Sequence, residues 1–456
     1  MILAIGLVAM TAGCTFQYGL AYLIPALRHE GFSLELASVL VACPTAGLLL
    51  TLIGWGAAAD RWGERVVLAS GLGLAGVILI AASAVRGTVA LGLCLGLGGA
   101  AGGSVFAASG RLILGWFARH ERGLAMGIRQ SSQPLGVALA AATLPALGAS
   151  GTTSPLRFLG GFCLVAAVLV VWLVRDPGKT LALSPAALSP GGSGSPAAPA
   201  SAAPVSGAPA RADSSGGARP HGGGGPDGGG GPDSGGGRSA SPYRQPVLWR
   251  IHAASALLVV PQFTVATFAL VFLIDARGWD ATSAGRLLAV AQLFGAAARL
   301  GAGYWSDRVG SRMRPMRILA ASTAAGMLAL AVAAAAGSAL AVPMLLACAV
   351  VAVSTNGLAF TAVAEYAGSA WAGRALGVQN TGQNALAAAT PPVLALAIGS
   401  IGFGAAFAMV AAFPLAAAAF VPVSAESSTT AARARGMLAS RLRRLFGEPR
   451  IVGGRD

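Results

Sequence analysis

The residues able to do chemistry in this chain are arginines set in apolar surroundings. Arg299 lies within the apolar stretch 282–304, Arg111 within 89–116 and Arg129 within 123–148. A guanidinium at the centre of a bilayer costs about 2.5–3.5 kcal/mol on insertion scales, so depth decides how much such a residue must be explained. Arg299 precedes Asp307 by about 12 Å of helix rise, Arg129 follows Arg122 by about 10 Å, and Arg111 precedes Trp116 by about 7.5 Å. The stem of Arg111 can snorkel back to the headgroups from its depth, whereas that of Arg299 cannot easily do so. A guanidinium stays charged and donates two parallel hydrogen bonds from a planar fork, which is the geometry a carboxylate accepts. Arg299, Arg129 and Arg111, in that order of depth, are therefore candidate anion-binding residues. The alternative for each is a structural bond to helix carbonyls or to a neighbouring helix.

Polar side chains accompany them. Arg129, Ser132 and Gln133 share one helix face at i, i+3 and i+4. Gln379, Asn380, Gln383 and Asn384 crowd one segment, Gln17 and Tyr18 another, and Gln262, Thr264, Thr267 and Ser354, Thr355, Asn356 two more. Each alone is accounted for as interhelical glue worth about 0.6 kcal/mol. Together they fit a wet central cavity better, with Gln17, Tyr18, Gln133, Asn356 and Gln383 as further candidates for substrate contact. Acids keep to the segment ends (Glu35, Asp275, Glu121, Glu365), and His252 lies one turn inside its segment. No deep carboxylate stands out as a proton carrier. The five cysteines are scattered singly without metal-ligand or redox spacing. No nucleophile, base and orienting group cluster, and no ATP-binding loop motif occurs, so neither catalytic residues, nor a metal, nor a cofactor is expected.

The elements that must position these residues follow from composition. Of 456 residues 55% are hydrophobic and 10% charged, against about a quarter charged in soluble domains. Some 20 apolar residues cross the roughly 30 Å hydrocarbon core, and runs of that length recur along the chain. This excludes soluble, fibrous and disulfide-stapled classes and predicts an all-α polytopic membrane protein. Apolar segments fall near 2–27, 36–58, 66–85, 89–116, 123–148 and 156–174, then near 248–274, 282–304, 317–336, 339–363, 373–397 and 400–422. The expected domains are an N-terminal six-helix bundle (1–175), a disordered Gly/Pro/Ser/Ala-rich linker (176–246), a C-terminal six-helix bundle (247–423) and a basic tail (424–456). In the tail, Arg433–Phe446 reads either as an amphipathic helix on anionic headgroups or as a solvated basic segment.

The two bundles are copies. At one constant offset Phe16–Gly63 lies on Phe263–Gly310 without a gap, and Gly127–Gln133 matches Gly377–Gln383 at nearly the same offset. An even number of spans per half puts both termini and the linker on one side. That side holds Arg61, Arg65, Arg119, Arg122, Arg308, Arg312, Arg314, Arg317 and Arg374, so the positive-inside rule makes it cytoplasmic. Much of the net charge of +15 is thus topology rather than a nucleic-acid footprint.

Two six-helix halves joined by a long linker resemble the major facilitator superfamily. The doubled pattern Gly56-x-x-x-Asp60-Arg61-x-Gly63-x-Arg65 and Gly303-x-x-x-Asp307-Arg308-x-Gly310-x-Arg312 is similar to that superfamily's loop motif. The resemblance implies two pseudo-symmetric six-helix bundles that rock around a central cavity. Gly56 and Gly303 would allow close helix approach, Gly63 and Gly310 a tight turn, and Asp60 and Asp307 would bond arginine or a helix N-terminus. These residues, with Glu365, read as a conformational latch rather than a substrate site. Arg111-x-x-x-x-Trp116-Phe117-x-x-x-Glu121-Arg122 resembles the anion:cation symporter branch, which implies a role in anion binding for Arg111. Arg299-x-x-x-Gly303 resembles the oxalate/formate and monocarboxylate branches, which implies the same for Arg299.

The expectation is a monomeric secondary transporter in the cytoplasmic membrane, moving a small organic anion by alternating access, with a coupling proton or counter-anion and membrane lipids as partners. The alternatives are an efflux antiporter for drugs or hydrophobic compounds, and a non-transporting sensor on the same fold.

Overall fold

The computed structural model of the protein describes residues 2–116, 130–174, 241–368 and 371–426. Among these residues every regular element is helical. The first half comprises α1 (Ile2–Gly19), which continues through a tight turn at Leu20–Leu23 into α2 (Ile24–His29), then α3 (Leu34–Trp62), α4 (Glu64–Ala82), α5 (Thr88–Trp116), α6 (Ser132–Leu147) and α7 (Thr153–Leu173). The second half comprises α8 (Pro246–Asp275), α9 (Ala281–Val309), α10 (Met313–Ala335), α11 (Ala341–Ala367) and α12 (Ala372–Phe420). Among the described residues ten helical stretches are long and apolar enough to cross a membrane. The last of them, Ala372–Glu426, has 55 residues. That is roughly 80 Å of helix, enough for two crossings.

The spans placed at 373–397 and 400–422 are two helices that meet at Gly402, whose φ of 76° takes it out of the helical region. One expected boundary moves: residues 241–246, assigned to the linker, fold, with Pro242–Arg244 in a short 3-10 turn and α8 starting at Pro246. Of the span 123–148, residues 123–129 lie outside the described residues and Ser132–Leu147 form α6. The rest of the linker and the segment Arg433–Phe446 lie outside the described residues.

The duplication is visible in how helices begin. Ser33 caps α3 by accepting from the Leu36 N–H at 3.2 Å, and its counterpart Asp280 caps α9 by accepting from the N–H groups of Thr282 and Ser283 at 2.8 and 3.1 Å. Hydrogen bonds from the Ser283 side chain and the two N–H groups hold the Asp280 carboxyl below the usual carboxylate range. At the other end of the same helices Gly63 (φ 89°) and Gly310 (φ 63°) make the turns predicted from the loop motif.

Helices in lipid gain little from burying apolar surface against each other, so packing rests on close backbone approach. A Cβ on Gly47 of α3 would stand 1.9 Å from the Gly96 carbonyl oxygen of α5, and one on Gly76 of α4 would stand 2.8 Å from that of Gly160 on α7. The same device joins the halves, but at one face only. At the face where α1–α2 and α8 end, a Cβ on Gly285 of α9 would lie 2.3 Å from the Ala141 carbonyl oxygen of α6, and one on Gly399 would lie 2.7 Å from Glu35 Oε1. Arg28 and Asp275 form an ion pair there. At the opposite face, which carries the Gly63 and Gly310 turns, no atom among the described residues lies within 4 Å of a Cβ built on Gly56, Gly303, Gly373 or Gly377. Among the described residues no helix approaches Gly56 or Gly303 as closely as the loop motif led one to expect.

Candidate substrate site

Where the halves meet at mid-height, a cavity of about 30 Å³ is lined by Tyr18 of α1, Gln133, Pro134 and Val137 of α6, Gln262, Phe263, Val265, Ala266 and Thr267 of α8, Gln292 and Arg299 of α9, and Ala349 and Val353 of α11. Both copies of the duplication contribute.

Arg299 is 7% exposed. Its Nε donates to the Val353 carbonyl at 3.2 Å, and its Nη1 to the Gln130 carbonyl at 2.9 Å. Nη1 and Nη2 also reach Gln133 Oε1 at 3.5 and 3.4 Å. Every one of these acceptors is neutral. Among the described residues no carboxylate lies within ion-pair distance of the guanidinium, and five N–H donors share long or single bonds. A buried cation held in this way is under-compensated, because neutral dipoles return only part of the hydration it has lost.

Of the other predicted residues, Gln133 and Tyr18 are on the cavity wall. The Tyr18 hydroxyl donates to Asn384 Oδ1 at 3.4 Å, and its ring meets Phe106 and Phe263 edge-on. Gln383 and Asn356 are not on the wall. They belong to a buried amide chain in the second half: Gln383 Nε2 donates to Ser255 Oγ at 2.7 Å and to Asn356 Oδ1 at 3.4 Å, and Asn356 Nδ2 donates to Gln262 Oε1 at 2.8 Å. Gln17 is also off the wall. It is 2% exposed, with neither carboxamide atom hydrogen-bonded, and its Oε1 lies toward Gly102 of α5. Arg129 lies outside the described residues, as does the side chain of Arg111, whose backbone is in α5.

Gln292 was not singled out from sequence. It stands two helical turns from Arg299 on the same face of α9. The i, i+7 spacing to Arg299 was the available signal.

The loop-motif residues lie away from the cavity. Arg312 bonds Asp307, donates to Ser306 Oγ at 3.0 Å, and pairs through Nη2 with Glu365 Oε1 at 3.2 Å. Burial works against its charge, but the hydrogen bonds it donates to Asp307 and Glu365 outweigh it and hold its pKa above the usual value. Glu426 accepts from the N–H groups of Arg312 and Met313, at 2.6 and 3.2 Å, and from the Ser311 hydroxyl. In the first half Arg65 donates to the Val171 carbonyl, and Arg61 lies over the Trp62 ring at 5.8 Å. Arg308 lies over Tyr304 at 4.9 Å. The Asp60 side chain is outside the described residues.

A sequence model described as the Major Facilitator Superfamily matches residues 3–391. The chain belongs to the major facilitator superfamily. As a facilitator protein it is a multi-pass membrane protein of secondary-transporter type that takes small-molecule substrates. Two relatives from Mycobacterium tuberculosis strains, both described as uncharacterized MFS-type transporters, are 40% identical over 425 residues, covering 93% of this chain and 84% of theirs. Among solved facilitator structures, a bacterial homologue of the human lysosomal transporter Spinster, inward-facing and occupied, superposes with TM-score 0.67 at 12% identity, covering 94% of this chain and 96% of that one. A D-xylose–proton symporter superposes with TM-score 0.64 at 16% identity, covering 91% and 96%. At such identities the likeness is one of fold.

Proposed function

We propose that this facilitator protein moves a small organic anion, a carboxylate, with Arg299 as its anchor. The observation that carries the reading is a buried guanidinium on the wall of the inter-half cavity, bonded to neutral acceptors and without a carboxylate partner among the described residues. An incoming carboxylate supplies the missing charge and accepts from the planar fork. Gln262 and Gln292 add amide groups, and Tyr18 and Phe263 offer ring faces to the substrate body. Arg111 and Arg129 remain candidates for a second contact in the same cavity.

The arginine-rich loops make the loop-motif face the cytoplasmic one, with both termini on it, in a cytoplasmic membrane and in a monomeric protein. On that orientation the face where Arg28 pairs with Asp275 is the outer one. The loop motifs act as latches, Arg312 tying Asp307 and Glu365 in the second half. A second reading, export of hydrophobic compounds, draws on the apolar wall of Val137, Phe263, Val265 and Val353.

Counterflow in proteoliposomes against a panel of carboxylates, amines and lipophilic cations separates the two. Carboxylate counterflow that Arg299→Gln abolishes, in a protein that still purifies as a folded monomer, is the expected result. Retained carboxylate transport in that variant, or transport of lipophilic cations alone, overturns the anion reading.

A further inference from the structure

His252 on α8 is a buried titratable side chain, 8% exposed, that the anion site does not use. Both ring nitrogens are engaged, Nδ1 with Gln379 Oε1 at 2.6 Å and Nε2 with the Tyr243 hydroxyl at 3.2 Å. Gln379 Nε2 donates to Ser255 Oγ, so its Oε1 faces the ring. In the neutral imidazole Nδ1 therefore carries the hydrogen and Nε2 accepts from Tyr243. A second proton binds the Nε2 lone pair, and the Tyr243 hydroxyl turns from donor to acceptor. No other bond has to change.

Aromatic rings flank the imidazole. Tyr243, partly exposed at the head of α8, stacks on the imidazole with centroids 5.9 Å apart, and Trp249 meets it edge-on at 6.2 Å. Two arginines at this end have partners of their own, while Arg244, which follows Tyr243 in the chain, adds a further positive charge. Arg250 of α8 bonds the carbonyls of Phe420 and Ala419, and Arg374 of α12 lies over Trp371. On α11, Glu365 is paired with Arg312, and Tyr366 is packed in the same cluster.

From His252 the hydrogen bonds run through Gln379, Ser255, Gln383 and Asn356 to Gln262 on the cavity wall. Amides do not pass protons along such a chain, but they fix the geometry through which a charge is felt. His252 and Gln262 are about 15 Å apart along α8. At that distance, with an effective dielectric near 20, a unit positive charge strengthens binding of a monoanion roughly five- to tenfold.

We propose that His252 is the binding site of a coupling proton, reached from the loop-motif face through Tyr243, and that this proton and the anion at Arg299 bind cooperatively. The proposal rests on the anion-site reading. Linkage makes the effect reciprocal, so anion occupancy draws a proton onto His252.

The test is proton uptake on anion binding, followed with a pH indicator in weakly buffered detergent solution, with acetate, lactate and benzoate as probes. Wild type is expected to take up at most about half a proton per anion bound and to gain about five- to tenfold in affinity as the pH falls from neutrality into the mildly acidic range. His252→Gln, whose carboxamide can still donate to Gln379, is expected to bind at the weaker, high-pH affinity at every pH and to take up no proton. Binding by wild type without proton uptake overturns the proposal and leaves the anion site standing, and this measurement decides the matter even if a variant misfolds. Proton uptake retained in both His252→Gln and His252→Asn also overturns it. No anion binding at all by wild type overturns the anion-site reading, and this proposal with it.

Discussion

Arg28 and Asp275 occupy equivalent positions in the two copies of the duplication, and they form an ion pair with each other across the boundary between the halves. A pseudo-two-fold axis brings equivalent residues face to face, so the only favourable charge choice there is one of each sign. The pair ties the halves together at the far face.

Cysteines at both positions, Arg28→Cys with Asp275→Cys, should cross-link under mild oxidant and stop transport until a reductant is added. Failure to cross-link, or transport by the cross-linked protein, would show that the far face does not close there. The ion pair itself is partly solvated, with side chains 38% and 31% exposed, and contributes about 0–1 kcal/mol. Its loss should accordingly shift the conformational balance by less than about tenfold.

Gly285 offers a sharper probe of the same closure. A Cβ there would stand 2.3 Å from the Ala141 carbonyl oxygen, which is backbone and cannot turn aside. Gly285→Val should oppose the far-closed state by about 1–3 kcal/mol. Spin labels placed on the far ends of α6 and α9 should then report a longer distance than in wild type, with little change in expression.

At the loop-motif face, Glu426 accepts from two N–H groups at the head of α10 and so acts as its cap. Glu426→Ala should lower stability by about 1 kcal/mol, read as a reduced melting temperature in detergent. Arg312→Gln removes the pairing to Asp307 and Glu365 and should add to that loss less than additively, since both act through one residue.

Gln17 separates stability from function. Its carboxamide is buried with no hydrogen bond, and an unsatisfied buried polar group costs about 1–3 kcal/mol. Gln17→Leu should leave the protein as stable or more stable. If transport falls while the melting temperature rises, Gln17 serves substrate in another conformation; unchanged transport removes it from the site.

Much of the fold could be read directly. The apolar runs, the doubled motif and the glycine turns at Gly63 and Gly310 are local or periodic features, and the helices end where those signals put them. The site was less legible. Depth pointed to Arg299, and the structure puts it on the cavity wall. Gln133 and Gln383 are equivalent in the duplication, yet the first faces Arg299 and the second is tied into the Ser255–Asn356 chain. A polar residue in an apolar helix announces that it needs a partner, but not which one. Gln292 was overlooked because a single glutamine carries no pattern until Arg299 is known to share its face.

The amino-acid sequence by itself determined that this chain crosses a membrane as two copies of one helical bundle, because hydrophobic length and repeat are written residue by residue. Only the tertiary structure decided which polar groups converge on the cavity, which face is shut and how His252 is joined to Gln262. Those depend on the rotation and crossing of helices far apart in the chain. In lipid, that arrangement is set by backbone approach and by hydrogen bonds between helices, neither of which leaves a period in the sequence.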